Sequence, residues 1–193
     1  MRKDIIIRQE NEKDFEEINK LVIRSFTEGT NYSDGTDVVA LIKEIRDGKY
    51  YIPKLSLVAE INGKIVGHFM FSHFPLSSTA KKADYDRSII KTETVMLAPV
   101  SVNADYFRQD VGSTMIKLGI QKVREDGYKG IQVEGNPAFY NTLGFITSSK
   151  FNIYPTSGWP MQSPECMMCQ ETHPDSLEGI SGYIIFDMYQ NCQ

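Results

Sequence analysis

Hydrophobic and polar positions alternate along this chain in two periods, and the switches between them outline its elements. Ile5, Ile6 and Ile7 predict a first strand. Phe15, Ile18, Leu21, Val22 and Phe26 then recur at helical spacing, which predicts a helix over about 14–26. The polar stretch Thr27 to Gly35 breaks that pattern. Thr36 reads as the N-cap of a second helix, with Val38, Val39, Leu41, Ile42 and Ile45 inward and Gly48 at its end. Strands over 55–61 and 64–74 are joined by Asn62-Gly63, a strong hairpin signal. Ser77 to Arg87 is a polar insert read as a surface loop, and a fourth strand covers about 88–98, with Pro99 interrupting its ladder. After Asp110, Val111, Met115, Leu118, Ile120 and Val123 mark a helix that stops at Gly127. A strand over 130–134, a short helix over 137–143 opened by Pro137, and a strand from Phe145 follow. The stretch 155–174 reads as irregular, and Tyr183 to Met188 as a final strand. The order β-α-α-β-β-β-α-β-α-β-β predicts one α/β domain spanning 1–193.

Composition narrows the function. The chain has 193 residues, 41% of them apolar, enough for a packed core. A net charge of -4 argues against nucleic acid as the partner, since backbone phosphates need a basic face. No apolar run approaches the roughly 20 residues that span a bilayer, so no membrane partner is expected. Met1-Arg-Lys-Asp leads into no long apolar signal region, and three cysteines make no disulfide framework. The expected compartment is the cytoplasm. Oligomeric state is not set by any pattern.

The chemistry concentrates between Val95 and Phe145. The loop Asn103 to Ser113 leads into an amphipathic helix, whose first turn offers unpaired N–H groups and partial positive charge to a phosphate. On these residues alone an ordinary β-α unit with a capped helix is the better account of the loop. Asn136-Pro137 opens a short helix carrying Tyr140, which is either a packing tyrosine or a proton donor. Glu93, read as mid-strand in the fourth strand, and Glu134, at the end of the fifth, are candidate bases. His68 and His73 are five apart, on opposite strand faces, and cannot line one site. Cys166, Cys169 and His173 have zinc-like spacing, with Cys192 a conceivable fourth ligand, but the set is incomplete and Met167-Met168 look like packing residues. No metal is expected.

Three runs carry a family resemblance: Leu97-Ala-Pro-Val-Ser-Val102, Tyr106-Phe-Arg-Gln-Asp-Val-Gly-Ser113 and Glu134-Gly-Asn-Pro-Ala-Phe-Tyr-Asn-Thr-Leu-Gly-Phe145. With the element order, they resemble the GNAT N-acetyltransferase superfamily, in particular one bacterial branch. The resemblance implies a mixed twisted β-sheet flanked by helices on both faces, and acetyl-CoA as acyl donor. Val100, Ser101 and Val102 would offer backbone groups to the pantetheine arm. Phe107, Arg108, Gln109, Asp110, Val111, Gly112 and Ser113 would hold the pyrophosphate. Asn136 and Phe139 would lie beside the pantetheine, Phe139 being by residue type a core side chain. Tyr140 would protonate the departing thiolate. The family's loop runs Gln or Arg, two residues, Gly, one residue, Gly or Ala. Here Phe107 and Asp110 depart from it and only Gly112 fits. The expected activity is acetyl transfer to the amine of a small molecule or peptide by direct attack. The alternative is a degenerate, non-catalytic domain of the same type that senses a ligand or binds a partner. Tyr32, Asp34, Asp37, Asp84, Tyr85 and Asp86, in the variable segments, suit a cationic acceptor.

Overall fold

The structure, a computed structural model, describes residues 4–29, 33–156, 163–186 and 188–190. In chain order its elements are β1 (Ile6–Gln9), α1 (Phe15–Gly29), α2 (Thr36–Asp47), β2 (Ser56–Ile61), β3 (Lys64–Ser72), β4 (Leu76–Ser77) and β5 (Ile90–Lys91). Then follow β6 (Thr94–Val102), α3 (Val111–Glu125), β7 (Gly130–Glu134), α4 (Pro137–Tyr140), β8 (Ile146–Thr147), β9 (Ile153–Pro155), β10 (Met167–Glu171) and β11 (Gly182–Ile184). The chain contacts group into two compact units, residues 1–72 with 98–122, and residues 73–97 with 123–193. The first half of β6 belongs to one unit and its second half to the other.

The first unit is a sheet in the order β1-β2-β3-β6, with β1, β2 and β3 antiparallel. The β2–β3 turn works as the sequence predicts: Asn62 (φ 52°) and Gly63 (φ 71°) both take positive φ, as a tight hairpin of this kind requires. β3 is buried along nearly its whole length because helices cover both faces. On one side α3 sits so close that a Cβ on Gly67 would lie 2.3 Å from Met115 Sδ, and one on Gly119 2.5 Å from Phe69. On the other, His68 meets Glu10, which is held by Arg46 of α2. The helix α2 starts at Thr36 rather than being capped by it. Gly35 takes the cap position in a left-handed conformation, and Asp34 Oδ1 accepts from both the Thr36 N–H and its hydroxyl.

The second unit carries the order β6-β7-β10-β8 and a small sheet β5-β4-β11-β9. β6 and β7 run parallel over three pairs, Thr94↔Gly130 to Met96↔Gln132. β10 pairs antiparallel with β7 on one side and β8 on the other. Here the sequence reading needs correcting twice. The stretch read as irregular contains β10, whose Met167, Met168 and Cys169 are buried. Methionine and cysteine carry little strand propensity of their own, and burial between two neighbours supplies what propensity does not. The fourth strand is also displaced: a short β5 and a bend precede β6, which runs on past Pro99 to Val102. Cys169 is thus a strand residue of the core, and Cys192 lies outside the described residues. Among the described residues no helix is long and apolar enough to cross a membrane.

A charged network that no residue spacing announces lies inside the first unit. Glu10, 6% exposed, accepts from Arg46 Nε (2.9 Å) and Nη2 (2.5 Å), from the Tyr51 hydroxyl (3.0 Å) and from His68 Nε2 (3.0 Å). Burial pushes the Glu10 carboxyl up, but hydrogen bonds from His68 and Arg46 outweigh it and hold the group well below the usual carboxylate range. Burial pushes His68 down, so its imidazole is neutral, with the proton on Nε2 facing Glu10. Both groups therefore weaken the fold as pH falls. The unfolded chain takes up the His68 proton below about 6.5, and the Glu10 proton below about 4.3, before the folded protein takes up either. We expect urea stability to fall first as pH drops through the histidine range, then more steeply in the glutamate range. Glu10→Gln, which leaves Arg46 buried without its counter-charge, is expected to cost about 3–5 kcal/mol in urea unfolding at neutral pH.

Candidate active site

In the first unit, β6 delivers the chain to a loop that ends at the head of α3. Val100 and Val102 are half-buried and Ser101 is buried, its Oγ without a partner. The Val102 N–H, expected to be open to a ligand, donates to Ser25 Oγ of α1 (3.2 Å). Asn103 then caps a single turn, residues 104–106, with its side chain accepting from the Asp105 N–H (3.0 Å). Arg24 of α1 clamps that turn through both Asp105 oxygens, at 3.0 and 2.7 Å. Phe107 lies over Gly29, where a Cβ would stand 2.9 Å from the ring, and Gln109 Nε2 donates to Asp105 O (2.7 Å).

The departures from a glycine-rich loop are resolved in the backbone. Arg108 (φ 58°) and Asp110 (φ 60°) both adopt the left-handed conformation that glycine favours. Aspartate is among the few side chains that enter it readily. The Asp110 carbonyl accepts the first helical bond, from Thr114 N–H (3.0 Å), and also the Ser113 hydroxyl (3.0 Å). The amides of Val111, Gly112 and Ser113 thus stand in the first turn of a fifteen-residue helix, where no intrahelical partner is available. Arg108 is exposed beside them. The residues suit a phosphate group: free amides, the positive end of a helix dipole and a cation. The exposed Asp110 carboxylate is the one feature that opposes an anion.

In the second unit, β7 ends in Glu134 and the chain turns through Gly135. Asn136 takes the N-cap of α4, its Oδ1 accepting from Ala138 N–H (2.9 Å). Phe139 is 38% exposed, which corrects its reading as a core side chain. Tyr140 is half-buried, its ring edge-on to Phe139 (5.0 Å) and Phe145 (5.7 Å). Burial pushes its phenol up to about 12, so it stays protonated in neutral solution and is able to act as an acid. Gly135 makes room for it, since a Cβ there would lie 2.3 Å from Tyr140 Cε2.

Glu93 does not sit mid-strand. It lies exposed in the bend before β6, and its carbonyl accepts from Lys129 N–H (2.8 Å), a backbone role. Glu134 differs: one carboxylate oxygen is buried without a partner, and burial pushes the group up to about 8. Neither His68 nor His73 is exposed, His68 being in the core and His73 half-buried, edge-on to Tyr128.

The Acetyltransferase (GNAT) family model matches residues 15–145. Escherichia coli (strain K12) has a protein named Uncharacterized N-acetyltransferase YjhQ that is 29% identical over 175 residues, 88% of this chain and 86% of that one. Uncharacterized N-acetyltransferase YhbS of the same strain is 24% identical over 97% of this chain and 99% of its own. The crystal structure of E. coli YhbS in complex with CoA superposes with a TM-score of 0.73 at 23% identity, over 95% of this chain and 89% of that one. A GNAT family acetyltransferase from Brucella melitensis in complex with acetyl-CoA gives 0.65 at 24% identity, over 90% and 91% of the two chains.

The close seat of Tyr140 on Gly135 is open to test. Gly135→Ala is expected to displace the ring, cost about 1–3 kcal/mol in urea unfolding as overpacking does, and return the phenol toward its ordinary pKa in a spectrophotometric tyrosine titration.

Proposed function

Because this chain belongs to the acetyltransferase (GNAT) family, we propose that it transfers an acetyl group from acetyl-CoA to the amine of a small molecule or peptide. The observation that carries this reading is the head of α3. The loop takes its left-handed turns at Arg108 and Asp110 without glycine at either position, and leads into three amides with no intrahelical partner. Acetyl-CoA supplies the activated thioester and the pyrophosphate that anchors it. In this reading Val111, Gly112 and Ser113 bind the pyrophosphate through their N–H groups, and Arg108 adds charge. Val100 and Ser101 line the pantetheine arm. In this reading Tyr140, kept protonated in neutral solution by its burial, gives its proton to the departing sulfur. The same reading places the protein in the cytoplasm, with Cys166 and Cys169 as free thiols.

The exposed carboxylate of Asp110 favours a second reading, a domain that has kept the loop but lost turnover. Calorimetric titration with acetyl-CoA separates the two. On the first reading the natural protein binds it, and Asp110→Gly binds roughly tenfold more tightly, because removing repulsions of about 1 kcal/mol each from a polyanion has that size. Stability should change by less than about 1 kcal/mol, the relieved left-handed strain offsetting glycine's entropy. If only the glycine variant binds, the loop is blocked and the non-catalytic reading holds. No binding by either protein removes acetyl-CoA from the account. With an accepted amine, Tyr140→Phe is expected to lower kcat about 100-fold or more while leaving acetyl-CoA affinity unchanged.

A further inference from the structure

The insert between β4 and β6 leaves an open edge. In the small sheet β5 pairs with β4 through Leu76↔Lys91 and Ser77↔Ile90, and among the described residues no strand pairs with its other side. Ser78 N–H donates to Ile89 O (3.0 Å) and Ile89 N–H to Ser78 Oγ (3.1 Å), so Ile89 turns its backbone toward β4. By the alternation of an antiparallel ladder, Ile90 then turns its N–H and C=O outward. The side chains alternate too, one to each face of the sheet, yet both are bare: Ile89 is 67% and Ile90 39% exposed. One exposed isoleucine is ordinary on a protein surface. An edge kept from pairing carries a charge or a proline at such positions.

The charges beside this edge are sorted by its two ends. Ahead of Ile89, the turn Lys82–Arg87 and its flank carry Lys81, Lys82 and Arg87, all exposed, against Asp84 and Asp86. Beyond Ile90, Lys91 Nζ donates to Gly179 O (3.0 Å) and ties β5 to the loop 175–181. That end carries the exposed carboxylates of Glu93, Asp175 and Glu178. A cavity of about 380 Å³ opens there, with Glu171 and Lys150 beside Asp175 and Glu178 in its lining. Glu171 accepts from Leu177 N–H (3.0 Å). Among the described residues no three acidic, cysteine or histidine side chains converge to hold a metal ion, so the excess negative charge at this end is open to an organic cation.

We propose that this edge is a self-association surface, on which β5 of a second copy pairs antiparallel about a two-fold axis through Ile90. The occupant follows from the order of the charges. Antiparallel self-pairing lays the basic end of each copy against the acidic end of the other, twice over. Centred on Ile90, it brings Arg87 of one copy opposite Glu93 of the other. Parallel pairing would set like charge against like. The two Ile90 residues exchange N–H···O=C bonds across the axis, the isoleucines cover one another, and the small sheets join edge to edge. Charge selects the partner and its direction, while the apolar side chains supply adhesion. The surface lies wholly in the second unit and does not depend on the transferase reading.

Sedimentation velocity over a wide range of protein concentration tests it. The natural chain is expected to dimerise reversibly. Ile90→Lys, which sets two cations face to face on the axis, is expected to weaken association about tenfold or more. Two charge variants then address the direction of pairing. Lys81→Glu with Arg87→Glu makes both ends acidic, and Glu93→Lys with Glu178→Lys makes both basic. Each is expected to be monomeric alone, and their equimolar mixture to dimerise, which also shows that both fold. A natural chain that stays monomeric, a dimer that Ile90→Lys leaves intact, or a mixture no more associated than its components overturns the proposal. So does a monomer that sediments with phosphatidylserine vesicles, since the insert then serves a lipid surface.

Discussion

The second unit depends on a parallel ladder that lasts three pairs and then ends. Up to Met96 and Gln132, β6 and β7 share backbone bonds, and the Gln132–Thr94 side-chain bond closes the ladder. Beyond it, Val133 and Glu134 are paired only with Met168 and Met167 of β10. Parallel pairing is slightly weaker per residue than antiparallel, so ending it early sacrifices little. That end presents a carboxyl at Glu134 with one unpartnered oxygen, a gap at Gly135 filled by an aromatic ring, and an asparagine that starts the helix carrying Tyr140.

The first unit solves a different problem, holding a loop in a conformation its side chains resist. Left-handed backbone at a residue such as Arg108 costs about 1–2 kcal/mol. The loop is anchored on both sides of that strain. Arg24 grips Asp105 ahead of it, Phe107 is seated on Gly29, and α3 takes over directly after Asp110. The loop's shape is therefore a property of its attachment to α1 as much as of its own residues.

Much of this was legible in the sequence because it follows from local rules. The Asn62-Gly63 hairpin, the face of α3, β7 from 130 to 134 and the Pro137 helix start all depend on neighbours within a few residues. The GNAT family was legible in the run from 95 to 145 for the same reason. The misses are long-range. β10 is a strand because two distant strands flank it, and nothing in Met-Met-Cys-Gln-Glu signals that. Glu93 and Glu134 look alike in sequence, and only burial, set by parts of the chain far from either, separates an exposed bend from a desolvated strand end. The network around Glu10 joins residues up to 58 positions apart, so its partners could not be matched by spacing. The glycine pattern misled in the opposite sense, because two other residue types adopt the backbone it encodes.

The position of β10 also orders events at the ribosome. β7 is synthesised more than thirty residues before the strand that lies against it, and β8 waits for the same partner. Until residues 167–171 emerge, each presents an open row of backbone donors and acceptors, the kind of edge on which nascent chains pair wrongly. The non-local closure is slow by its topology. A message truncated, or a ribosome stalled, between residues 150 and 166 thus leaves a chain that contains the whole loop and helix of the first unit, yet exposes two unfinished strands to its neighbours.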